Sequence, residues 1–406
     1  MTELIPLILL FVFFLPVYAA DCQGQTSVIS KKLAAIGFEN VRAFRINHDL
    51  FISLENNIFR WNVTGICIAL DTIAKYAGGE DRLLLYILEK DIPRIMIKTS
   101  AKEWTKYTGS SMPESTIISD LEVGYVEYGL TNGLKTIAPL NPAVNKIDIV
   151  LYPQFILQNT LLSQIYEIQL NLAPAIEVSL WKGMQFTGQV IFPLKNDLGS
   201  EGDHIRPGFV TLAQEFNIPH RWFGRLAFGN FNADRYGTDF SLNHPFKNNR
   251  WEVGMNVGLT GSSFFYDEKW ITSEINHLSW FVRSRYFYPK YNLQFDLSYG
   301  RYINSDYGFR ADCTRHFKAA TIGFYAMYTG DELNGGFHFS IPLPPRKRNR
   351  KHVLRLVPPR FFDWEYNAGT EFYYGRYYET RPNENRSEHW NNPISIRSEI
   401  LKSGKK

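Results

Sequence analysis

A dozen charged residues in the second half of the chain recur at positions that strand periodicity assigns to one face. They are Glu167, Glu177, Arg225, Asp239, Glu252, Arg283, Arg285, Asp296, Arg310, Asp312, Glu365 and Glu371. Arginines and carboxylates gathered on one face can grip a charged or hydroxyl-rich ligand through charge-assisted hydrogen bonds. The competing reading, which the expected size of the sheet favours, is an interior held shut by its own ion pairs. Two of these carboxylates could act as acid and base in glycoside hydrolysis, at a separation of about 5 to 9.5 Å. Sequence spacing places no pair at that distance. No nucleophile motif surrounds Ser262, His244 or His277, and the nine histidines lack metal-ligand spacing. The expectation is therefore a protein without catalytic residues, cofactor or metal. The dense basic run Arg346-Lys347-Arg348-Asn349-Arg350-Lys351 follows Pro342, Pro344 and Pro345. It reads either as a solvated turn or as a basic patch for an acidic polymer, lipid head groups or an acidic partner.

The elements that carry the charges are strands. Tyr166, Ile168, Leu170, Leu172, Ile176, Val178 and Leu180 share one parity, and Glu167, Gln169, Asn171, Glu177 and Ser179 the other. Successive strand side chains point to opposite faces, so such a segment is apolar on one side and polar on the other. Segments beginning near Trp251, Leu278, Tyr291 and Trp364 repeat the pattern. Twelve segments fit between Ile147 and Ile341, and another fits Trp364–Tyr374. A further weak one falls at Ile394–Ile400 or near Leu121–Leu130. Short connections at Lys182-Gly183, Pro219-His220, Lys247–Asn249 and Pro289-Lys290 alternate with long ones at Asn196–Ile205 and Ser262–Ile275. A membrane barrel alternates its turns in this way, whereas a sandwich in water has no reason to. The asymmetry is partial, because the turns near Ala233 and Asn304–Asp306 are short as well. The fold expected is an antiparallel transmembrane barrel of about 12–14 strands spanning residues 146–380, with 381–406 as a tail or last strand.

A small α+β domain is expected in front of it, over residues 21–110. Gln25–Ile36 sets Val28, Ile29, Leu33 and Ile36 on one helical face, and Gly37 stops it. A second helix starts at Asn62 as N-cap and ends at Gly78-Gly79. Strands at Val41–Ile46, Leu50–Leu54, Leu83–Leu88 and Arg94–Lys98 complete the order αββαββ, and residues 111–145 read as a linker.

Composition agrees with export. Leu4–Leu15 is apolar, Pro16 breaks it, and Val17-Tyr18-Ala19 supplies small residues at a cleavage site, so 1–20 reads as a signal peptide despite Glu3 and a first segment free of Lys and Arg. Asp21 is a poor residue before a lipidated cysteine, which argues against lipidation of Cys22. Past that segment no apolar run is long enough for a membrane helix. The net charge of +4 is dispersed, which argues against nucleic acid as partner. Aromatics reach 15%, as strands and the interface girdles of membrane barrels require. Trp181, Trp222, Trp251, Trp270, Trp280 and Trp364 are read as girdle. Three cysteines, Cys22, Cys67 and Cys313, are too few for a disulfide scaffold. Cys67 is expected in a core, and Cys313 in a core or facing a membrane.

The stretches Gly37-Phe38-Glu39-Asn40-Val41-Arg42 and Leu54-Glu55-Asn56 resemble the front domain of the YjbH-type exopolysaccharide-biosynthesis proteins. Tyr166-Glu167-Ile168-Gln169-Leu170-Asn171-Leu172-Ala173-Pro174, Gly229-Asn230-Phe231, Asp234-Arg235-Tyr236-Gly237 and Thr260-Gly261-Ser262 resemble the barrel half of that family. The resemblance implies a short, single-barrel version, located in the bacterial outer membrane with its front domain in the periplasm. It implies a part in polysaccharide secretion or assembly, with outer-membrane lipid, polysaccharide and periplasmic or lipoprotein components of a secretion system as partners. It supplies no active site. Two other readings are a porin-like solute channel and a soluble secreted carbohydrate-binding β protein.

Overall fold

The structure is a computed structural model that describes residues 20–109, 120–127, 132–159, 166–350, 353–368, 374–383 and 392–403. Residues 1–19 of the proposed signal peptide, Lys351 and Glu371 lie outside these residues, as does the side chain of Cys22. Strands make up 58% of the described residues, so the fold is β-dominated with few helices.

The front domain forms because two apolar helical faces meet the apolar parity of one sheet. Helix α1 (Ala20–Ile36) contributes Ile29 and Leu33, and α2 (Asn62–Tyr76) contributes Ile66, Leu70 and Ile73. They cover β1 (Glu39–Ile46), β2 (Asp49–Glu55), β3 (Arg82–Glu89) and β4 (Ile92–Ser100). Strands β2 and β3 are parallel, joined by α2, and the other pairs are antiparallel. Leu83, Leu85 and Ile87 join this core, while Leu84 and Tyr86 of the opposite parity pack with Phe44 and Phe51 on the other face. Asn62 falls one residue inside the helix. Trp61 holds the cap position, and Asn62 Oδ1 instead accepts from Asn56 Nδ2 at 3.0 Å.

Two boundaries differ from those expected. The supposed linker contains a fifth strand, β5 (Glu122–Tyr125), paired with β4, and a short helix, α4 (Asn132–Lys135), and Leu140 is bridged to Val41. Helix α3 (Ala101–Gly109) packs Trp104 and Tyr107 into the same core. The end of the chain is a helix, α5 (Pro393–Ser403), where a last strand was one alternative. Its Ile396 and Ile400 are buried in the front-domain core, and its final carbonyls accept from Tyr107 Oη. Ile396 and Ile400 are four residues apart, a spacing that gives one helical face as readily as an alternating strand pattern. Burial against α2 selected the helix.

The second sheet holds the twelve long strands expected between Ile147 and Ile341. These are β6 (Ile147–Asn159), β7 (Tyr166–Trp181), β8 (Met184–Asn196), β9 (Arg206–Ile218), β10 (Trp222–Asn230), β11 (Arg235–Pro245) and β12 (Trp251–Tyr266). After a short β13 (Lys269–Thr272) come β14 (His277–Tyr288), β15 (Leu293–Arg301), β16 (Tyr307–Phe317), β17 (Ala320–Thr329) and β18 (Glu332–Pro342). Each long strand pairs antiparallel with the next, and β13 folds the connection after β12 into a hairpin. Two short strands finish the sheet, β19 (Leu354–Val357) on β6 and β20 (Phe361–Asn367) on β18.

The hydrogen-bonded ladder is not closed into a barrel. β19 lies parallel to Ile147–Val150 and so occupies the edge of β6 where β20 would have to pair. Pro153, further along β6, has no N–H to donate, a residue that edge strands tolerate. The two ends nevertheless meet through side chains, with the rings of Phe155 and Trp364 5.7 Å apart.

Candidate functional site

The inner parity of the long sheet brings most of the expected charged residues together. Arg225, Asp239, Glu252, Arg283, Arg285, Asp296, Arg310, Asp312 and Glu365 line one cavity of about 350 Å³. Glu177 lines a second cavity, of about 340 Å³, between the long sheet and the front domain. Glu167 lies near the start of β7, opposite Gln158, and lines neither.

Ion pairs organise the first cavity. Arg285 bridges Asp296 at 2.6 Å and Glu252 at 3.1 Å. Arg310 reaches Asp312 and Glu365 at 2.9 Å each, and its guanidinium stacks 4.0 Å from the Tyr325 ring centre. Asp239 accepts from Asn256 Nδ2 and Tyr378 Oη, both at 2.9 Å. Buried charges persist only when paired and hydrogen-bonded, and these are. Arg283 differs: among the described residues it forms no ion pair or hydrogen bond. No group of three His, Cys, Asp or Glu among the described residues could hold a metal. Nor is any described helix long and apolar enough to cross a membrane, which says nothing of strands.

A segment that no sequence pattern singled out fills part of this interior. Beyond β20, residues 374–383 run along the inner face. Gly375 N donates to Asp306, and Arg376 O accepts from Ile303 N, both at the end of the sheet remote from the front domain. Further along, Tyr378 reaches Asp239, Thr380 meets Arg225, and Arg381 arrives at Glu215 at 3.2 Å. The chain thus returns through the sheet to the front domain, where α5 docks. Fewer than ten residues span that distance because extended chain covers about 3.3 Å per residue.

Glu215 also escaped the sequence reading. It sits on the inner parity of β9 and is 2% exposed, yet three cations converge on it. Lys90 from the β3–β4 turn and Arg94 from β4 approach at 2.6 Å each, and Arg381 comes from the returning segment. The turn is shaped to reach it, with Lys90 and Asp91 both at positive φ. Gly183, at φ +78, takes Lys90 O as acceptor and offers its own O to Glu215 N; a Cβ there would sit 2.2 Å from Glu215 O. The visible signal was parity alone, because Thr211, Ala213 and Glu215 continue the polar face of β9.

The basic run is divided, with Arg348 and Arg350 drawn into the interface and Arg346, Lys347 and Asn349 left exposed. Phe59 is bridged to Lys347, and Arg348 N donates to Ile58 O at 2.6 Å, so the run straps the long sheet to the front domain. Arg348 is buried, and Arg350 pairs with Glu39 at 3.1 Å and Asp148 at 2.6 Å. Arg346 and Lys347 keep exposed side chains. Cys67 is half-buried on α2 with Sγ 3.1 Å from Ser403 Oγ, and burial pushes its thiol up to about 11. Cys313 lies on the outer face, between Phe295 and Phe324.

Glu55 closes the interface from the front-domain side. Its carboxylate accepts from Asn40 Nδ2, Lys90 N and Asp91 N, at 2.6, 2.9 and 3.1 Å. Burial pushes it up to about 7 in spite of those donors.

Comparison with protein-family models finds no match, and comparison with curated proteins finds none that is significantly similar.

Two outcomes are expected. Glu215→Gln leaves three cations facing a neutral group, so the folded state should lose about 3–5 kcal/mol, the cost of breaking a buried ion pair. Unfolding midpoints in detergent, with protease cleavage between residues 100 and 145, read this; an unchanged midpoint refutes the convergence as a structural hub. Glu55 is protonated in the folded state at pH values where the unfolded chain has already ionised. Its contribution to stability is therefore full below about 4.5 and declines as pH rises towards about 7. A pH series on the wild type and Glu55→Gln should show that decline only in the wild type.

Proposed function

We propose that this chain is an outer-membrane β-barrel component of exopolysaccharide or capsule secretion or assembly, acting without catalysing a reaction. The observation that carries the membrane assignment is the outer face of the long sheet. Leu172, Phe192, Leu212, Phe228, Leu259, Val282, Leu297, Phe309 and Phe324 are all exposed on it, from β7 round to β17. Proteins dissolved in water seldom leave an apolar surface of that extent uncovered, whereas lipid covers it at no cost. The ion-paired inner face is the complement expected of a barrel interior. In this reading the outer edges of β6 and β20, already in aromatic contact, come together in the bilayer, since unpaired backbone groups are costly in hydrocarbon.

The resemblance to YjbH-type proteins supports the export role. So does the docking of the front domain on the rim of short turns, where it would face the periplasm. Lys90 O, Pro93 O and Glu127 meet Gly183, Asn217 and Arg221 of that rim. The segment 374–383 inside the sheet speaks against a freely open porin.

Leu297, at the centre of β15 and 52% exposed, tests the lipid face. Leu297→Arg should cost about 2–4 kcal/mol if the position lies at the bilayer midplane, and the variant should lose heat-modifiable gel migration in the membrane fraction. Wild-type-like assembly of that variant, or a detergent-free monodisperse wild type, removes the membrane reading. For the export role, deletion of the gene should abolish extracellular polysaccharide, and the intact chain should restore it. Retention of polysaccharide with loss of solute uptake would favour the porin reading instead.

A further inference from the structure

The cavity between the front domain and the long sheet carries more positive charge than its own carboxylates can answer. Ten Arg and Lys side chains line it against six Asp and Glu; Lys90, Arg94 and Arg381 of the ten are answered by Glu215, outside the cavity, which leaves seven against six. The interior cavity is the reverse, with six against seven. Four of the six carboxylates at the interdomain site are already engaged. Glu39 takes Lys146 at 2.8 Å, Arg350 at 3.1 Å and Asn57 at 2.8 Å. Asp148 takes Arg350 and Arg355, Glu177 takes Tyr152 Oη, and Glu55 takes the three donors described above.

Three guanidiniums are left with neutral partners. Arg60 Nη1 donates to Leu343 O and Arg348 Nη2 to Pro358 O, both at 2.6 Å. Arg360 Nη2 donates to Asn56 O at 2.7 Å. None of the three has a carboxylate within ion-pair distance among the described residues. Arg348 is 6% exposed, and its Nε has no hydrogen-bond partner; Arg60 Nε is likewise buried and unsatisfied. Burial and the neighbouring Arg360 and Arg355 pull the Arg348 guanidinium down to about 9. A cluster of like charges with idle donors is costly to keep out of water unless an anion joins it. Planar guanidiniums match the oxygens of phosphate and carboxylate groups in pairs.

We propose that this interdomain cavity is a binding site for a multivalent oxyanion, a phosphate-bearing or closely spaced carboxylate ligand held by Arg60, Arg348 and Arg360. A volume of about 340 Å³ suits a small ligand of that kind. Such a ligand touches both the front-domain loop at Asn56–Arg60 and the strap that follows β18, so binding ties the two together. The site stands whether or not the chain exports polysaccharide, because it rests on charge and geometry at the interface alone.

The test uses the full-length mature protein in detergent at constant ionic strength. Inorganic pyrophosphate, trigalacturonate and neutral maltotriose are titrated against the thermal unfolding midpoint. The expected result is a saturable rise with pyrophosphate, trigalacturonate or both, and none with maltotriose. A response to pyrophosphate alone identifies a phosphate ligand, and one to trigalacturonate alone an acidic saccharide. Arg348→Gln and Arg360→Gln should each raise the half-saturating concentration at least tenfold, while Lys269→Gln on the distant hairpin should not. Should the two buried variants fail to fold, Arg60→Gln at the rim of the cavity makes the same measurement. No saturable rise with either anion, or wild-type response in all the arginine variants that fold, overturns the proposal.

Discussion

Burying one carboxylate among three cations ties this molecule together. Glu215 lies on the inner face of the long sheet, where an isolated charge would be untenable. The front domain answers it with Lys90 and Arg94, and the returning C-terminal segment answers it with Arg381. Each of those cations would in turn be stranded without Glu215; burial already pulls the Lys90 ammonium below its ordinary value against the attraction of Glu215. Three parts of the chain far apart in sequence thus depend on one oxygen pair. The turn geometry at Lys90-Asp91 and the absence of a side chain at Gly183 follow from the need to reach it.

The same division of charge and apolar surface runs through the whole sheet. Inner-face charges neutralise one another in short chains, Arg285 with Asp296 and Glu252, Arg310 with Asp312 and Glu365. Outer-face side chains stay apolar and exposed. At the interdomain cavity the balance fails, and there the surplus is positive. Ion pairs hold most of the charge in the interior cavity, Arg283 excepted, whereas the interdomain cavity keeps guanidiniums that no carboxylate meets.

Much of this was legible in the residues because a strand repeats every two positions. Alternation located twelve long strands and put nine of the twelve expected charges around one cavity. It failed where two periods agree over a short run. Ile396 and Ile400 suit a helix or a strand, and contact with α2 decided between them. The basic run misled for another reason: charge density suggests solvent or a partner, but Arg350 found Glu39 about three hundred residues earlier. The supposed linker proved to carry an edge strand of the front domain, because four residues are too few to show a period.

By itself, then, the sequence determined how many long strands lie between Ile147 and Ile341, which side of the clearest ones is apolar, and that a mixed α and β unit precedes them. These follow from local periodicity and turn chemistry, which act over a few residues. Tertiary structure alone decided that residues 374–383 return through the interior, that Glu215 gathers its three cations, and that Arg60, Arg348 and Arg360 line one cavity with no carboxylate in ion-pair distance. Such meetings join residues tens to hundreds of positions apart, and no local pattern records which distant charge a buried side chain will find.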